Sequence, residues 1–482
     1  MPAAPVIRQM IFGERCFTLE DQLEFARFSG DWNPIHIDPI YARRCLTGQA
    51  VVHGMNMVLW AFELLAGHYN ECGFLISLRV QFIKPAFLNE RLVCRLINAR
   101  DKSFLVEVIG SVGQAVVIEL AFSAGSSTLP KCSLVASKGL SKDPVLLSAE
   151  DLEGRSGEWE VATEEGLAKH LFPACVAVWG EPLPVIFAHV SRLVGMECPG
   201  RYALFSELEL AVDETKISMI TDRLRYQVEN FDKRFKLVTS RVNVAGFSGS
   251  VRAFLSPPPV EQARMIDLKN DVANNVFARQ RALVIGGSRG LGELAAKMLA
   301  AGGADVCLTY NQGHSEANYV VSDILSQGGK ARAIALNIHE SIGKQTRSPQ
   351  GWVPTHLYYF ATPYIFSGQR VGFSPELWAT LTSYYVTGFA RAVESFVPSG
   401  LAAAFYPSTV ALNELPTDMA EYCAAKAAGE ALCQLLVRRH RGLIIFCPRL
   451  PRLATDQTVS LLPAENQDPR GIIRDLLLKF SA

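Results

Sequence analysis

The tightest constraint on the fold is a glycine-rich turn late in the chain. The apolar run Ala282–Ile285 leads into Gly286-Gly287-Ser288-Arg289-Gly290-Leu291-Gly292, and a helical stretch follows. Glycines at a strand-to-helix turn let the backbone approach a phosphate group closely and let the helix pack against the strand. Strand and helix keep alternating beyond it, with Ala304–Thr309, a helix from Ser315, and Ala331–Leu336. This rhythm predicts a doubly wound parallel sheet from about Arg279 to the C-terminus.

The rhythm upstream is different. Helical patterns at Leu19–Phe28 and Met55–Leu65 precede strand-like runs at Phe74–Phe82, Arg91–Asn98, Phe104–Ser111 and Ala115–Phe122. That order predicts an α+β unit in which an antiparallel sheet wraps one apolar helix. The stretch 124–157 is rich in Ser, Lys and Gly and reads as a linker. The same plan then recurs. A helical region between Glu164 and Val194 precedes strand-like runs at Tyr202–Val212, Arg223–Val228, Arg234–Ala245 and Ser250–Phe254. Pro257-Pro258-Pro259 ends this stretch, because prolines continue neither a ladder nor a helix. The recurrence points to a tandem duplication. Three domains are expected, over 1–128, 150–260 and 275–482.

Composition narrows the function. Lys+Arg and Asp+Glu each number 47 in 482 residues, so the formal net charge is zero. A balanced chain lacks the basic footprint of a nucleic-acid binder and the polybasic stretch that favours an anionic membrane. Met1–Phe12 has no signal pattern, and no run reaches the ~18 apolar residues of a membrane span. The 11 cysteines are scattered without a C-x-x-C pair. They fit free thiols in a reducing cytoplasm, and no His/Cys spacing calls for a metal.

The first candidate site follows the first helix, in Ser29-Gly30-Asp31-Trp32-Asn33-Pro34-Ile35-His36. Gly30 and Asn33-Pro34 turn the backbone, so Asp31 and His36 can converge on one small volume. Together they can hold a water, remove its proton and return a proton to carbon. Further on, Val52-His53-Gly54-Met55 opens the apolar helix. Free N–H groups at a helix start can receive a thioester oxygen as it turns enolate-like.

The S-G-D-x-N-P-I-H run with the later His-Gly step resembles the signature of MaoC-like (R)-specific enoyl thioester hydratases, as does Phe82-Ile83-Lys84-Pro85. The resemblance covers about the first 125 residues and implies a hot-dog fold. It also implies that Asp31 and His36 are the catalytic pair and that Gly54 supplies an oxyanion N–H. The second stretch holds Ser191-Arg192-Leu193-Val194-Gly195 but no such motif, and His170 and His189 stand without a placed carboxylate. It resembles the non-catalytic half of fused double hot-dog enzymes, which shapes the acyl tunnel.

The last candidate site joins the glycine turn to Tyr422-Cys423-Ala424-Ala425-Lys426. Spacing i, i+4 puts Tyr422 and Lys426 on one helix face, where an ammonium is expected to lower the phenol pKa. Ser408, at the end of a strand-like run, can bond the same substrate carbonyl. From Arg281 to Thr458 the chain resembles a short-chain dehydrogenase/reductase with a Rossmann fold. The resemblance implies Tyr422 as acid, Lys426 as its partner and ribose clamp, and Ser408 as carbonyl holder. It also implies cofactor contacts at Gly286, Ser288, Arg289, Gly290, Leu291, Gly292, Tyr310, Asn337, Ala361, Lys426 and Thr455. The chain departs from that family's pattern at Asn337, at Phe360-Ala361-Thr362 and at Tyr385, where an Asn is usual; Gly343–Val353 is loop-like and short. No acidic residue follows the second strand, and Arg289 can meet a 2′-phosphate, so NADPH is expected over NADH.

The expected whole is a multidomain α+β double hot-dog followed by an α/β reductase. It would act on an acyl thioester of coenzyme A or of an acyl carrier protein, as a homo-oligomer. Three readings stand: coupled 3-ketoacyl reduction and (R)-3-hydroxyacyl dehydration, a hydratase with a nucleotide-sensing module, and an acyl-binding scaffold.

Overall fold

The computed structural model describes residues 10–69, 72–100, 102–123, 141–212, 222–346, 351–366, 372–461 and 464–481. Of the expected linker, 124–140 lies outside the described residues. The chain divides into two compact units, Met1–Pro258 with Ser460–Leu462, and Pro259–Val459 with Pro463–Ala482.

The first unit is built on one ten-stranded sheet. Its elements begin with β1 (Met10–Cys16), α1 (Leu19–Ser29), α2 (Gly54–His68), β2 (Leu75–Phe82), β3 (Arg91–Arg100), β4 (Ser103–Gly110) and β5 (Gly113–Phe122). They continue with β6 (Ser156–Glu160), α3 (Pro173–Trp179), α4 (Pro182–Arg192), β7 (Ala203–Val212), β8 (Arg223–Asp232), β9 (Leu237–Val244) and β10 (Phe247–Leu255). The strand order is β1-β3-β4-β5-β2-β7-β10-β9-β8-β6. The second half of that order retraces the first, so β2 and β7 are equivalent strands. They meet antiparallel at the centre, with Ser77 opposite Ala211 and Gln81 opposite Glu207.

Each half contributes one apolar helix to a common core. In α2, Met55, Val58, Leu59, Ala61, Phe62 and Leu65 are buried, and in α4 every residue from Leu183 to Arg192 is buried. A helix apolar on all sides is stable only when enclosed. The strands supply the enclosure by alternation: Leu92, Cys94 and Leu96 of β3 face inward while their neighbours are more exposed. Each such large apolar side chain contributes about 1.5–3 kcal/mol on burial.

The eight strand-like runs read from sequence all become strands, with shifted ends. The sequence reading missed β1 and β6, which flank the sheet. β6 reads Ser-Gly-Glu-Trp-Glu, with one apolar side chain, and straddles the end of the stretch expected to be a linker. Edge strands pair on one side only and need little hydrophobic alternation, so their sequences carry a weak signal.

The second unit is doubly wound. Its strands are β11 (Arg281–Ile285), β12 (Asp305–Tyr310), β13 (Lys330–Ala335), β14 (His356–Tyr359), β15 (Ala403–Phe405) and β16 (Ile444–Phe446). Between and after them lie α5 (Gly290–Ala301), α6 (His314–Ser326), α7 (Pro375–Thr382), α8 (Phe389–Phe396), α9 (Ala420–Arg439) and α10 (Pro469–Ser481). The order is β13-β12-β11-β14-β15-β16, with every pair parallel. β11 is buried on both faces, Ala282 and Val284 toward one core and Leu283 and Ile285 toward the other. The order reverses between β11 and β14, and a crevice at such a switch point is where open α/β sheets bind ligands. The loop-like segment after β13 holds only the short helix Ile342–Gln345, and 347–350 lies outside the described residues. Among the described residues, no single helix is long and apolar enough to cross a membrane.

The shared core predicts that a chain ending at Ser123 loses the partner of β2 and the cover of α2. It should be dimeric or poorly soluble by light scattering, because a large exposed apolar face is costly. A stable, fully active monomer would contradict this.

Candidate active sites

The first site forms where α1 ends. Gly30 takes φ 72° and donates its N–H to the Ala26 carbonyl, closing the helix and releasing the loop that carries Asp31. Asn33 caps the next turn, accepting from the Ile35 N–H at 3.1 Å, and that turn carries His36. Asp31 is 2% exposed. One of its carboxylate oxygens accepts from the Asn33 N–H at 3.2 Å, and the other from the Ser191 hydroxyl at 2.7 Å. Burial raises the Asp31 carboxyl above its ordinary range, partly offset by His36 and by the Ser191 hydrogen bond.

His36 donates from Nδ1 to the Val51 carbonyl at 2.8 Å. That fixes the tautomer and leaves Nε2 with its lone pair. Burial lowers the His36 pKa, with Asp31 opposing, so the ring is held neutral beside a reluctant carboxylate. The ring stacks on His53, with centroids 3.9 Å apart. His53 uses both ring nitrogens, meeting Gln22 Oε1 at 2.9 Å and the Asp31 carbonyl at 3.0 Å. Donor atoms of Asp31, His36 and His53 lie within 4.8 Å of one another, a spacing a metal ion can bridge. The stacked rings and the committed nitrogens of His53 speak against three lone pairs converging there. Gly54 opens α2, so its N–H has no carbonyl one turn back to meet. A Cβ there would lie 2.6 Å from Phe82 Cε1, so any side chain at this position would have to displace that ring.

The sequence reading missed how the Ser191–Gly195 segment completes this site. Besides the Ser191 bond, Arg192 Nη1 donates to the Gly30 carbonyl at 2.9 Å, and Asn33 Nδ2 donates to the Gly195 carbonyl at 2.8 Å. A Cβ at Gly195 would come within 2.2 Å of Asp31 Oδ1. The signal was present as a polar Ser-Arg pair at the end of an otherwise apolar helix. His170 lies at the surface in a short helix. His189 is buried, accepting from Trp159 Nε1 at 2.9 Å and bonded through Nε2 to the Ala162 carbonyl at 2.7 Å.

In the second unit the glycine turn closes as steric necessity demands. A Cβ at Gly286 would lie 2.8 Å from the Ala361 N, at Gly287 2.8 Å from Leu308 Cβ, and at Gly292 2.2 Å from the Gly286 carbonyl oxygen. Gly290 takes φ 59°, which glycine adopts without strain. These residues thus fit a phosphate-binding cradle at the start of α5. Ser288 is buried in the turn, and Leu291 packs against the core beneath it. Arg289 Nη1 donates to the Asp456 carboxylate at 2.6 Å. Tyr310 ends β12 and packs edge-on to His314, while Asn337 bonds Gln345 and Glu340. Thr455 caps the turn that carries Asp456.

Tyr422 and Lys426 do share a face of α9, but their electrostatics differ from expectation. Burial pushes the Tyr422 phenol up to about 12, rather than the lysine pulling it down. Lys426 is itself desolvated, which lowers its amine to about 7. An amine that has lost its charge by the pH at which the phenol titrates does little to depress that phenol. Lys426 Nζ donates to the Pro407 carbonyl at 2.7 Å and lies 3.9 Å from the Tyr385 ring centre. Tyr385 itself shares a 2.5 Å hydrogen bond with Thr362. Ser408 is not turned toward Tyr422: its hydroxyl donates to Glu430 at 2.5 Å, and Glu430 is held by Arg449. Thr409, the next residue, accepts from the Ala411 N–H at 3.2 Å, and its hydroxyl partly offsets the rise of the Tyr422 phenol.

Comparison with known proteins finds similarity to separate parts of the chain. Residues 9–116 match the MaoC like domain. A mitochondrial 3-hydroxyacyl-[acyl-carrier-protein] dehydratase of Arabidopsis thaliana is 29% identical over 79 residues, 16% of this chain and 47% of that protein. A 3-oxoacyl-[acyl-carrier-protein] reductase of Synechocystis is 44% identical over 59 residues, 12% of this chain and 24% of that protein. The chain therefore spans less than half the length of either relative. Among solved structures, a short chain dehydrogenase from Burkholderia cenocepacia in complex with NADP is 24% identical with a TM-score of 0.38, over 43% of this chain and 92% of that one. One chain thus carries a stretch that matches the MaoC like domain and a doubly wound parallel unit.

Two outcomes follow for the first site. Because burial raises the Asp31 pKa, its contribution to stability is present in acid and is lost as pH rises through that raised value. Asp31→Asn should therefore raise the melting temperature at pH 7 while lowering enoyl hydration by at least ~10²-fold; a fall in melting temperature would contradict the electrostatic account. Ser191→Ala removes a hydrogen bond to a charged group, worth about 1.5–3 kcal/mol, and should lower hydration by ~10-fold or more.

Proposed function

We propose that this protein is a bifunctional acyl-thioester enzyme, coupling (R)-3-hydroxyacyl dehydration, or the reverse enoyl hydration, to NADPH-dependent 3-ketoacyl reduction. The observation that carries the reading is the buried Asp31 beside a neutral His36 whose Nε2 is open, with the Gly54 N–H at the start of α2. In hydration the pair holds a water; one member takes a proton as oxygen bonds to C3 of the enoyl group, and a proton returns to C2. The Gly54 N–H receives the thioester oxygen, on which charge develops. The repeated strand order supports a double hot-dog whose second half walls the acyl chain and braces Asp31 through Ser191.

Gly286, Gly287, Gly290 and Gly292 would hold the phosphates of a nicotinamide dinucleotide, which supplies the hydride when bound. Tyr422 then gives the phenolic proton to the carbonyl oxygen, and Ser408 or the adjacent Thr409 supplies the hydroxyl that holds that carbonyl. The absence of an acid after β12, where Tyr310-Asn311 stand, favours NADPH. The boxed Lys426 and the Tyr385 substitution support a second reading, in which this unit binds nucleotide without rapid turnover.

Product analysis by mass separates them. Given a 3-ketoacyl thioester and NADPH, the protein should yield 3-hydroxyacyl and enoyl species. Asp31→Asn should stop at the 3-hydroxyacyl stage, and Tyr422→Phe should leave the ketone intact while enoyl hydration continues. No NADPH consumption with any ketoacyl thioester, alongside normal hydration, would favour the second reading.

A further inference from the structure

The glycine turn leaves steric room at the start of α5, and a carboxylate stands beside it at Gly290. Around Gly290 an added Cβ would meet one atom within 4 Å, Asp456 Oδ1 at 4.0 Å. The other oxygen of Asp456 receives the Arg289 Nη1 donor at 2.6 Å. Asp456 is 4% exposed. It is held there by a built turn: the Thr455 N–H donates to Thr458 Oγ1 at 2.9 Å, the Thr458 N–H to the Thr455 carbonyl at 3.0 Å, and the Thr458 hydroxyl to the Leu453 carbonyl at 2.8 Å. Arg452 and Asn466 each donate to the Thr458 carbonyl at 3.2 Å.

The start of α5 carries partial positive charge, and Arg289 adds a full one. An anion placed there is stabilised, and a second anion must displace it or share it. We infer that Asp456 is an internal occupant of the dinucleotide phosphate site, competing with the cofactor for Arg289 and the helix start and so setting its affinity. The inference rests on the reading of this unit as nucleotide-binding. A ligand with a phosphate that can take Arg289 competes best, so the latch bears on the choice between NADPH and NADH. NADPH exchanges the Arg289–Asp456 pair for a guanidinium–phosphate pair, whereas NADH has no 2′-phosphate to offer.

The test is fluorescence titration of the full chain with NADPH and with NADH, for the parent and for Asp456→Asn, Asp456→Ser and Asp456→Glu, each checked for folding by its melting curve. The neutral variants should bind NADPH at least ~10-fold tighter than the parent, with a smaller gain for NADH. Asp456→Glu keeps the charge and should bind no tighter than the parent. Neutral variants that fold and bind NADPH no tighter overturn the inference while leaving nucleotide binding intact. A Glu variant that binds as tightly as the neutral ones overturns it too, since charge would not be the cause; if the neutral variants do not fold, a Glu variant tighter than the parent has the same force. If neither the parent nor any variant binds either dinucleotide, the nucleotide-binding reading falls and the inference with it.

Discussion

A buried carboxylate needs donors, and much of the first unit is arranged to supply them to Asp31. The loop itself offers the Asn33 N–H, and the other oxygen takes the Ser191 hydroxyl from the far half of the sheet. An unpaired ionised carboxylate in such surroundings would cost several kcal/mol. The two donors lower that cost without removing it, which leaves the group reluctant to be charged and thus useful as a base. The same arrangement explains why the two repeats remain one compact unit. The β2–β7 pairing places α4 beside the Asp31 loop, and Gly195 gives the carboxylate room that any side chain would remove.

The second unit applies the same logic with opposite sign. There the start of α5 favours anions, and the chain has placed one of its own beside it. Tyr422 and Lys426 show how burial can override a pairing read from spacing. An i, i+4 lysine predicts an acidified phenol only if the lysine is charged. Desolvation among Tyr385, Tyr406 and Tyr422 lets that charge go as pH rises through about 7, far below the pH at which the phenol titrates. Tyr385, standing where an Asn was expected, is therefore part of the wall that decides the state of Lys426.

Local pattern was enough to read the major elements. Alternation in β2 to β5, the apolar run of α2 and the glycine turn before α5 each rest on neighbours close in sequence, so they were legible from residues alone. So was the convergence of Asp31 and His36, because Gly30 and Asn33-Pro34 force the intervening turn. β1 and β6 were not legible, since an edge strand takes its conformation from one partner far away in the chain. Spacing also did not show what holds Ser408: its hydroxyl meets Glu430, a contact set by how α9 packs against the strand that carries it.

By itself, then, the sequence determined the order of the major elements, the tandem plan and the placing of residue types suited to acid–base and phosphate-binding chemistry, because all of these are written in short-range period and spacing. The tertiary structure decided which groups are charged and what holds them. Ser191 at Asp31, Asp456 at Arg289 and the tyrosines around Lys426 come from positions 160, 167 and, for Tyr385 to Tyr422, 37 residues apart in the chain. Burial and hydrogen bonding across such separations depend on how the elements pack, and no local pattern records that.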